Sequence, residues 1–208
     1  MKIYLVRHGE TPYNREGRFQ GQTDVPLSPE GASQGEELAQ RLRDELRDST
    51  DALYSSPLQR AVDTARPIGE KLKLEPRLDP GWQEMAMGEW EGKTPRQIPA
   101  AQLKQWRQDP TSLQIPGGES AAELESRVVG SLQRIIARHD DSDQIVVVTH
   151  GGPLMVVLAH VLRTSLREAS AGLKLNNAEM LVLDVDKNSG LARVLFQDQN
   201  GQVRPLTL

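Results

Sequence analysis

Cysteine is missing from all 208 positions. Disulfides, thiolate metal centres and a cysteine nucleophile are therefore excluded together, and the chain suits a reducing compartment. Aromatic residues are scarce at 4%, and no apolar run is long enough to span a bilayer. The N-terminus passes straight into "KIYLV" without the apolar stretch of a signal peptide, so a soluble cytoplasmic protein is expected. Basic residues are scattered through a chain of net charge −4. That pattern offers neither a nucleic-acid footprint nor a membrane-binding face. What remains is an ordinary globular composition, 37% hydrophobic and 26% charged. The length fits one domain, residues 1–208, with at most a modest insertion.

Two segments read as fully buried parallel strands, "KIYLV" (Lys2–Val6) and "QIVVVT" (Gln144–Thr149), both short, β-branched and nearly continuously apolar. "DALYS" (Asp51–Ser55) is a weaker third. Amphipathic helices are predicted between them. One opens at Ser28-Pro29 with Leu38, Leu42 and Leu46 on one face, and another runs from Ser56-Pro57 to about Leu72. Thr94-Pro95-Arg96-Gln97 and Ser120-Ala121-Ala122-Glu123 both have capping-box spacing, the second ahead of a stripe of Leu124, Val128, Leu132, Ile135 and Ile136. A short helix is expected from Pro153 to about Leu162. A hairpin should follow, from Glu179–Asp186 through a turn at Lys187–Gly190 to Leu191–Asp198. Strands alternating with helices predict a three-layer α/β/α sandwich around a mostly parallel sheet. Residues 78–118, rich in Pro, Gly, Gln, Trp and Met, read as a small cap over one sheet edge. Ligands of such folds bind beyond the carboxyl ends of the parallel strands.

The two buried strands end alike. The first runs into Arg7-His8-Gly9 and the second into His150-Gly151-Gly152, so two of the four histidines share one rim. The glycines after each histidine, Gly9 and Gly151 among them, would let backbone N–H groups approach a ligand. Arg60, near the start of the helix after "DALYS", adds a cation at an end that attracts anions. Two arginines and two histidines on one rim of an acidic protein describe a phosphate pocket, because the guanidinium fork matches phosphate oxygens. With no cysteine present, histidine is the best nucleophile on offer, and it can form a phosphohistidine. A second imidazole, kept protonated by the anion, would stabilise the transferring group. The leaving alkoxide needs a proton. Glu84, among Trp82, Met85, Met87 and Trp90, is the natural acid, its pKa raised by apolar surroundings; Glu91 and Glu10 are the alternatives.

"LVRHGETPYN", "SSPLQRAVDTA", "QEMAMGEWEG", "PGGES" and "VVVTHGG" together resemble the landmarks of the histidine phosphatase superfamily, the relatives of cofactor-dependent phosphoglycerate mutase. The resemblance runs from Met1 to about Pro153. It implies that His8 is the phosphorylated nucleophile and that Arg7, Arg60 and His150 bind the phosphoryl group. Glu84 would be the proton donor and later the base that activates water, and Asn14, Gln20 and Gly21 would help line the phosphate site. It implies no metal and no cofactor. Mutases of the family look longer and carry a Tyr soon after the catalytic Glu. Here Met85-Ala86-Met87 follows Glu84 and the stretch to "PGGES" is short. A metal-independent phosphomonoester hydrolase acting on a small phosphorylated metabolite is the expectation, with a mutase or a non-catalytic phospho-ligand binder as rivals. The substrate is open among phosphoamino acids, sugar phosphates, phosphoglycerate derivatives and a cobamide precursor, and a monomer and a homodimer are both open.

Plainer roles fit the other features. Pro116–Ser120 reads as a turn and helix start, the Trp/Met cluster as packing, and His139 and His160 as structural or surface residues without ligand spacing. A metal hydrolase using His8 and His150 lacks a recognisable ligand motif, and the arginines would repel a cation.

Overall fold

The computed structural model describes residues 1–46, 49–187, 191–197 and 203–205. β1 (Lys2–Arg7), β2 (Ala52–Ser55), β3 (Arg77–Leu78) and β4 (Gln144–Thr149) run parallel. β5 (Met180–Asp186), β6 (Leu191–Gln197) and β7 (Val203–Pro205) extend the sheet antiparallel, in the order β3-β2-β4-β1-β5-β6-β7. β5 and β6 form the expected hairpin; positions 188–190 of its predicted turn, and Asp198, lie outside the described residues.

Period-two alternation sorts the strand side chains between two helical layers. Tyr4, Val6, Val146 and Val148 pack with Leu38, Leu42 and Leu46 of α2 (Pro29–Leu46) and Ala61, Ala65 and Ile68 of α3 (Gln59–Leu72). Ile3, Leu5, Ile145 and Val147 face the other way, onto Leu124, Val128, Leu132 and Ile135 of α5 (Ala121–Arg138) and Leu154 and Leu158 of α6 (Gly151–Leu162). The segment after β1 therefore crosses one face and the segment after β4 the other. That makes the β1/β4 border a topological switch point with a crevice beyond its carboxyl end.

Short helices α1 (Pro12–Glu16), α4 (Ala100–Gln108) and α7 (Leu166–Gly172) complete the described α-helices. The Thr94 capping box forms but opens only a 3-10 turn, Pro95–Gln97. Pro99 is the reason, since it pushes the preceding Ile98 into extended backbone (φ −94°, ψ 139°), and α4 starts anew at Ala100. The Ser120 box caps α5 as expected. α6 begins two residues ahead of the predicted Pro153, which makes His150 its N-cap residue. Ser165 and Glu168 form a further box at α7, with the same three-residue spacing in the sequence.

Candidate active site

β1 and β4 pair in register from Lys2 with Gln144 to Arg7 with Thr149, and His8 N–H donates to the Thr149 carbonyl (3.0 Å). Two strands that end flush bring the residues that follow them together. The His8 and His150 rings lie 5.0 Å apart between centroids, both buried. A cavity of about 220 Å³ opens beside them, lined by Arg7, His8, Asn14, Gln20, Gly21, Arg60 and Glu84, with Gly152, Arg18, Phe19, Met85, Met87 and Trp106 as further walls. Of the residues singled out in the sequence, His150 is beside His8 but not among the wall residues, and Gly151 yields its wall position to Gly152. A larger hollow of about 550 Å³ near His160 carries none of the predicted residues.

Arg60 stands second in α3, since Ser56-Pro57 precede the helix instead of starting it. It is fully buried, with Nη1 bonded to the Thr23 carbonyl and Nη2 to that of Gly21. Arg7 donates through Nη1 to the Leu175 carbonyl. Arg7 Nε, Arg60 Nε and His150 Nδ1 are buried without a protein partner, which suits an anion with several oxygens. Two amides point the same way. Asn14 Oδ1 receives Thr11 N–H and Asn177 Nδ2, and Gln20 Oε1 receives the Thr11 hydroxyl proton (2.8 Å). With the oxygens engaged, the NH₂ ends are left as donors for the cavity both side chains line.

Imidazole chemistry follows from two contacts. His8 Nδ1 lies 2.7 Å from the Gly9 carbonyl, which only accepts, so Nδ1 carries the proton and the Nε2 lone pair is available. Burial, then Arg60 and Arg7, hold the His8 pKa well below the ordinary imidazole range. His150 is depressed likewise, by burial first and then by Arg60, His8, Arg7 and Arg127, while its Nε2 contacts Ser56 Oγ (2.8 Å). The protonated second imidazole expected from the sequence is thus opposed by its surroundings until an anion offsets the arginines. Burial also lowers the Arg7 and Arg60 pKa values, with nearby carboxylates led by Glu84 opposing the shift.

Glu84 accepts from Met85 N–H (2.8 Å) and Gly152 N–H (3.1 Å) through Oε1. A Cβ on Gly152 would stand 2.3 Å from that oxygen, so a glycine is needed for this approach. The rival carboxylates are engaged elsewhere. Glu10 accepts from Ser28 Oγ, and Glu91 ties Gln22 N–H, Met87 N–H and Thr23 Oγ1 together. Gly9 departs from expectation: its N–H donates to Thr64 Oγ1, and a Cβ there would lie 2.4 Å from the Gly31 carbonyl. It serves the approach of α2 to β1, not a ligand. His139 bridges Tyr54 and Asp143, a structural role, and His160 is exposed.

The family model of the histidine phosphatase superfamily (branch 1) matches residues 3–198. The chain belongs to that superfamily. Phosphoserine phosphatase 1 of Hydrogenobacter thermophilus is 34% identical over 169 residues, covering 80% of this chain and 78% of the relative. The metal-independent phosphoserine phosphatase of Arabidopsis thaliana is 36% identical over 192 residues, 88% of this chain and 75% of its own. Among solved structures, a mycobacterial glucosyl-3-phosphoglycerate phosphatase complexed with VO3 superposes with a TM-score of 0.81 at 30% identity, over 93% of this chain and 96% of that one. The family match together with these phosphatase relatives supports a phosphatase, and the β1/β4 rim is where two of its four histidines meet. Among the described residues no group of three or more His, Asp or Glu side chains is arranged to hold a metal ion.

Proposed function

We propose that the protein is a metal-independent phosphomonoesterase that hydrolyses a small phosphorylated metabolite through phospho-His8. The observation that carries this reading is the 2.7 Å contact of His8 Nδ1 with the Gly9 carbonyl. Because a carbonyl only accepts, the contact assigns the proton to Nδ1 and leaves Nε2 as a neutral nucleophile beside Arg7 and the buried Arg60. His8 Nε2 attacks phosphorus, the bond from phosphorus to the ester oxygen breaks, and the leaving oxygen takes the proton of Glu84. Glu84 then removes a proton from water, the hydroxide oxygen bonds to phosphorus, and the P–N bond breaks to release inorganic phosphate and neutral His8. Arg7, Arg60 and the NH₂ groups of Asn14 and Gln20 take up the equatorial charge. Phosphate charge would raise the proton affinity of His150 and let it assist. Gly151 would then act through its place beside His150 at the start of α6.

Residues 78–118 act in this reading as a cap on a single domain, since Glu84, Met85, Met87 and Trp106 all wall the cavity. A volume of about 220 Å³ is below the ~300–1,000 Å³ of sites that bury drug-sized ligands. It favours a leaving group of the size of serine or glycerate, in keeping with the phosphoserine phosphatases among the relatives. Hydrolysis is preferred to mutase transfer because Met85-Ala86-Met87, without a tyrosine, follows Glu84. The absence of cysteine is consistent with a cytoplasmic setting.

Turnover of an aryl phosphate by the wild type and by His8→Ala, each with and without strong chelator, tests the reading. The wild type should be indifferent to chelator and the variant should lose at least ~10³-fold in kcat, as expected when a nucleophile is removed. Substantial activity in the variant, or loss on chelation, overturns it.

A further inference from the structure

Glu84 lies in a segment with no helix or strand ladder to hold it, between the 3-10 turns Pro80–Trp82 and Gly88–Trp90. Its carbonyls must find donors elsewhere. Thr149 Oγ1 donates to the Trp82 carbonyl and Gln22 Nε2 to that of Glu84, and Arg127 of α5, a residue no sequence motif marked, supplies further donors. Nη1 donates to the carbonyls of Gly81 (3.0 Å) and Gln83 (2.7 Å), and Nη2 to that of Glu84 itself (3.0 Å). The remaining two N–H groups meet Glu119 side-on, Nε to Oε1 at 2.6 Å and Nη2 to Oε2 at 2.7 Å. All five guanidinium protons are thereby used. Glu119 then closes the ring from the other side, accepting Ala86 N–H at Oε2 (3.3 Å) and donating its own N–H to the Ala86 carbonyl (2.9 Å). Both side chains are mostly buried, at 22% and 13% exposure, so the pair is not a solvent-weakened surface bridge.

We propose that Arg127, oriented by Glu119, is the positioning residue for the proton donor, clamping the backbone on both sides of Glu84 so that its carboxyl stays beside Gly152. The inference rests on Glu84 being that donor. It gives the "PGGES" segment a second task besides starting α5: Glu119 aligns the clamp. Lysine would retain the charge but, with three donors on one nitrogen, cannot reproduce the planar fork.

The test compares an alkyl phosphate, whose poor leaving group needs a proton, with 2,4-dinitrophenyl phosphate, whose leaving group does not. Arg127→Lys and Glu119→Gln should each lose about 100-fold in kcat/KM on the alkyl ester, the scale of a misplaced catalytic group. The parameter compared throughout is kcat/KM because it ends at phosphoenzyme formation and so excludes the later water-activating step, which both esters share. They should lose no more than about 3-fold on the dinitrophenyl ester, with the Ki for inorganic phosphate nearly unchanged. Arg127→Lys combined with Glu84→Gln should be no slower on the alkyl ester than Glu84→Gln alone. Equal losses on both esters, or additive losses in the double variant, would make the clamp merely structural and overturn the proposal. If Arg127→Lys fails to fold, Glu119→Gln decides by the same comparison. Failure of the underlying reading is distinguishable, because Glu84→Gln by itself would then show no dependence on the leaving group.

Discussion

In the proposed reaction most of the chemistry turns on the two imidazoles, and their burial makes a measurable demand on stability. In the unfolded chain each titrates near ~6.5; in the folded protein burial and the two arginines hold both well below that. Below about pH 6.5 the unfolded state therefore binds more protons than the folded state, and stability falls with pH. The stabilisation is fully present above that pH and is lost as pH drops toward the folded pKa values. Two protons set an upper slope of about 2.7 kcal/mol per pH unit. Denaturant unfolding in phosphate-free buffer between pH 6.5 and 5.5 should show a steeper decline for the wild type than for His8→Asn/His150→Asn; parallel curves would count against neutral, buried histidines. At this scale the sequence was informative wherever a side chain has unusual chemistry. Arg7, His8, Arg60 and Glu84 meet on one cavity, with the His150 ring beside that of His8. Residues that act by holding others were not legible. Ser56, Asn177 and Arg127 have ordinary side chains whose importance comes from partners distant in the chain, as with Ser56 and His150, 94 positions apart.

Elements explain the two glycines that looked alike. Gly9 lies where β1 leaves the sheet under the start of α2, against the Gly31 backbone, whereas Gly152 sits in the first turn of α6 against the flexible end of Glu84. Gly9→Ala should therefore cost about 1–3 kcal/mol through overpacking against backbone. That corresponds to a fall in Tm of roughly 2–4 °C per kcal/mol for a chain of this size. Gly152→Ala should leave Tm within about 2 °C, a minor packing change, yet reduce kcat at least ~10-fold by displacing the acid. Calorimetry and steady-state kinetics on both variants check the contrast, which a reversed pattern would contradict. Buried strands and amphipathic helices were readable because their periodicity is local, and the register of β1 with β4 follows from two apolar runs of equal length. Short elements were not. β3 is two residues long, and the extent of the Thr94 turn was decided by Pro99 rather than by its capping box.

For the molecule as a whole, one face of the sheet carries the segment after β1 and the other the segment after β4, so the crevice at their border falls where the two histidines end their strands. That much followed from strand–helix alternation. The apolar cavity walls did not, because Phe19, Met85, Met87 and Trp106 reach the cavity from three separate stretches with no shared periodicity. Among the described residues no helix is long and apolar enough to cross a membrane. The account rests finally on the covalent step. A phosphohistidine survives alkali and not acid, so a steady-state mixture with ³²P-labelled phosphate ester, quenched in base and digested, reports the attachment site. The prediction is label on the peptide that carries His8, bound through Nε2. Label on any other side chain, or complete turnover with no phosphoenzyme at any time, would contradict it.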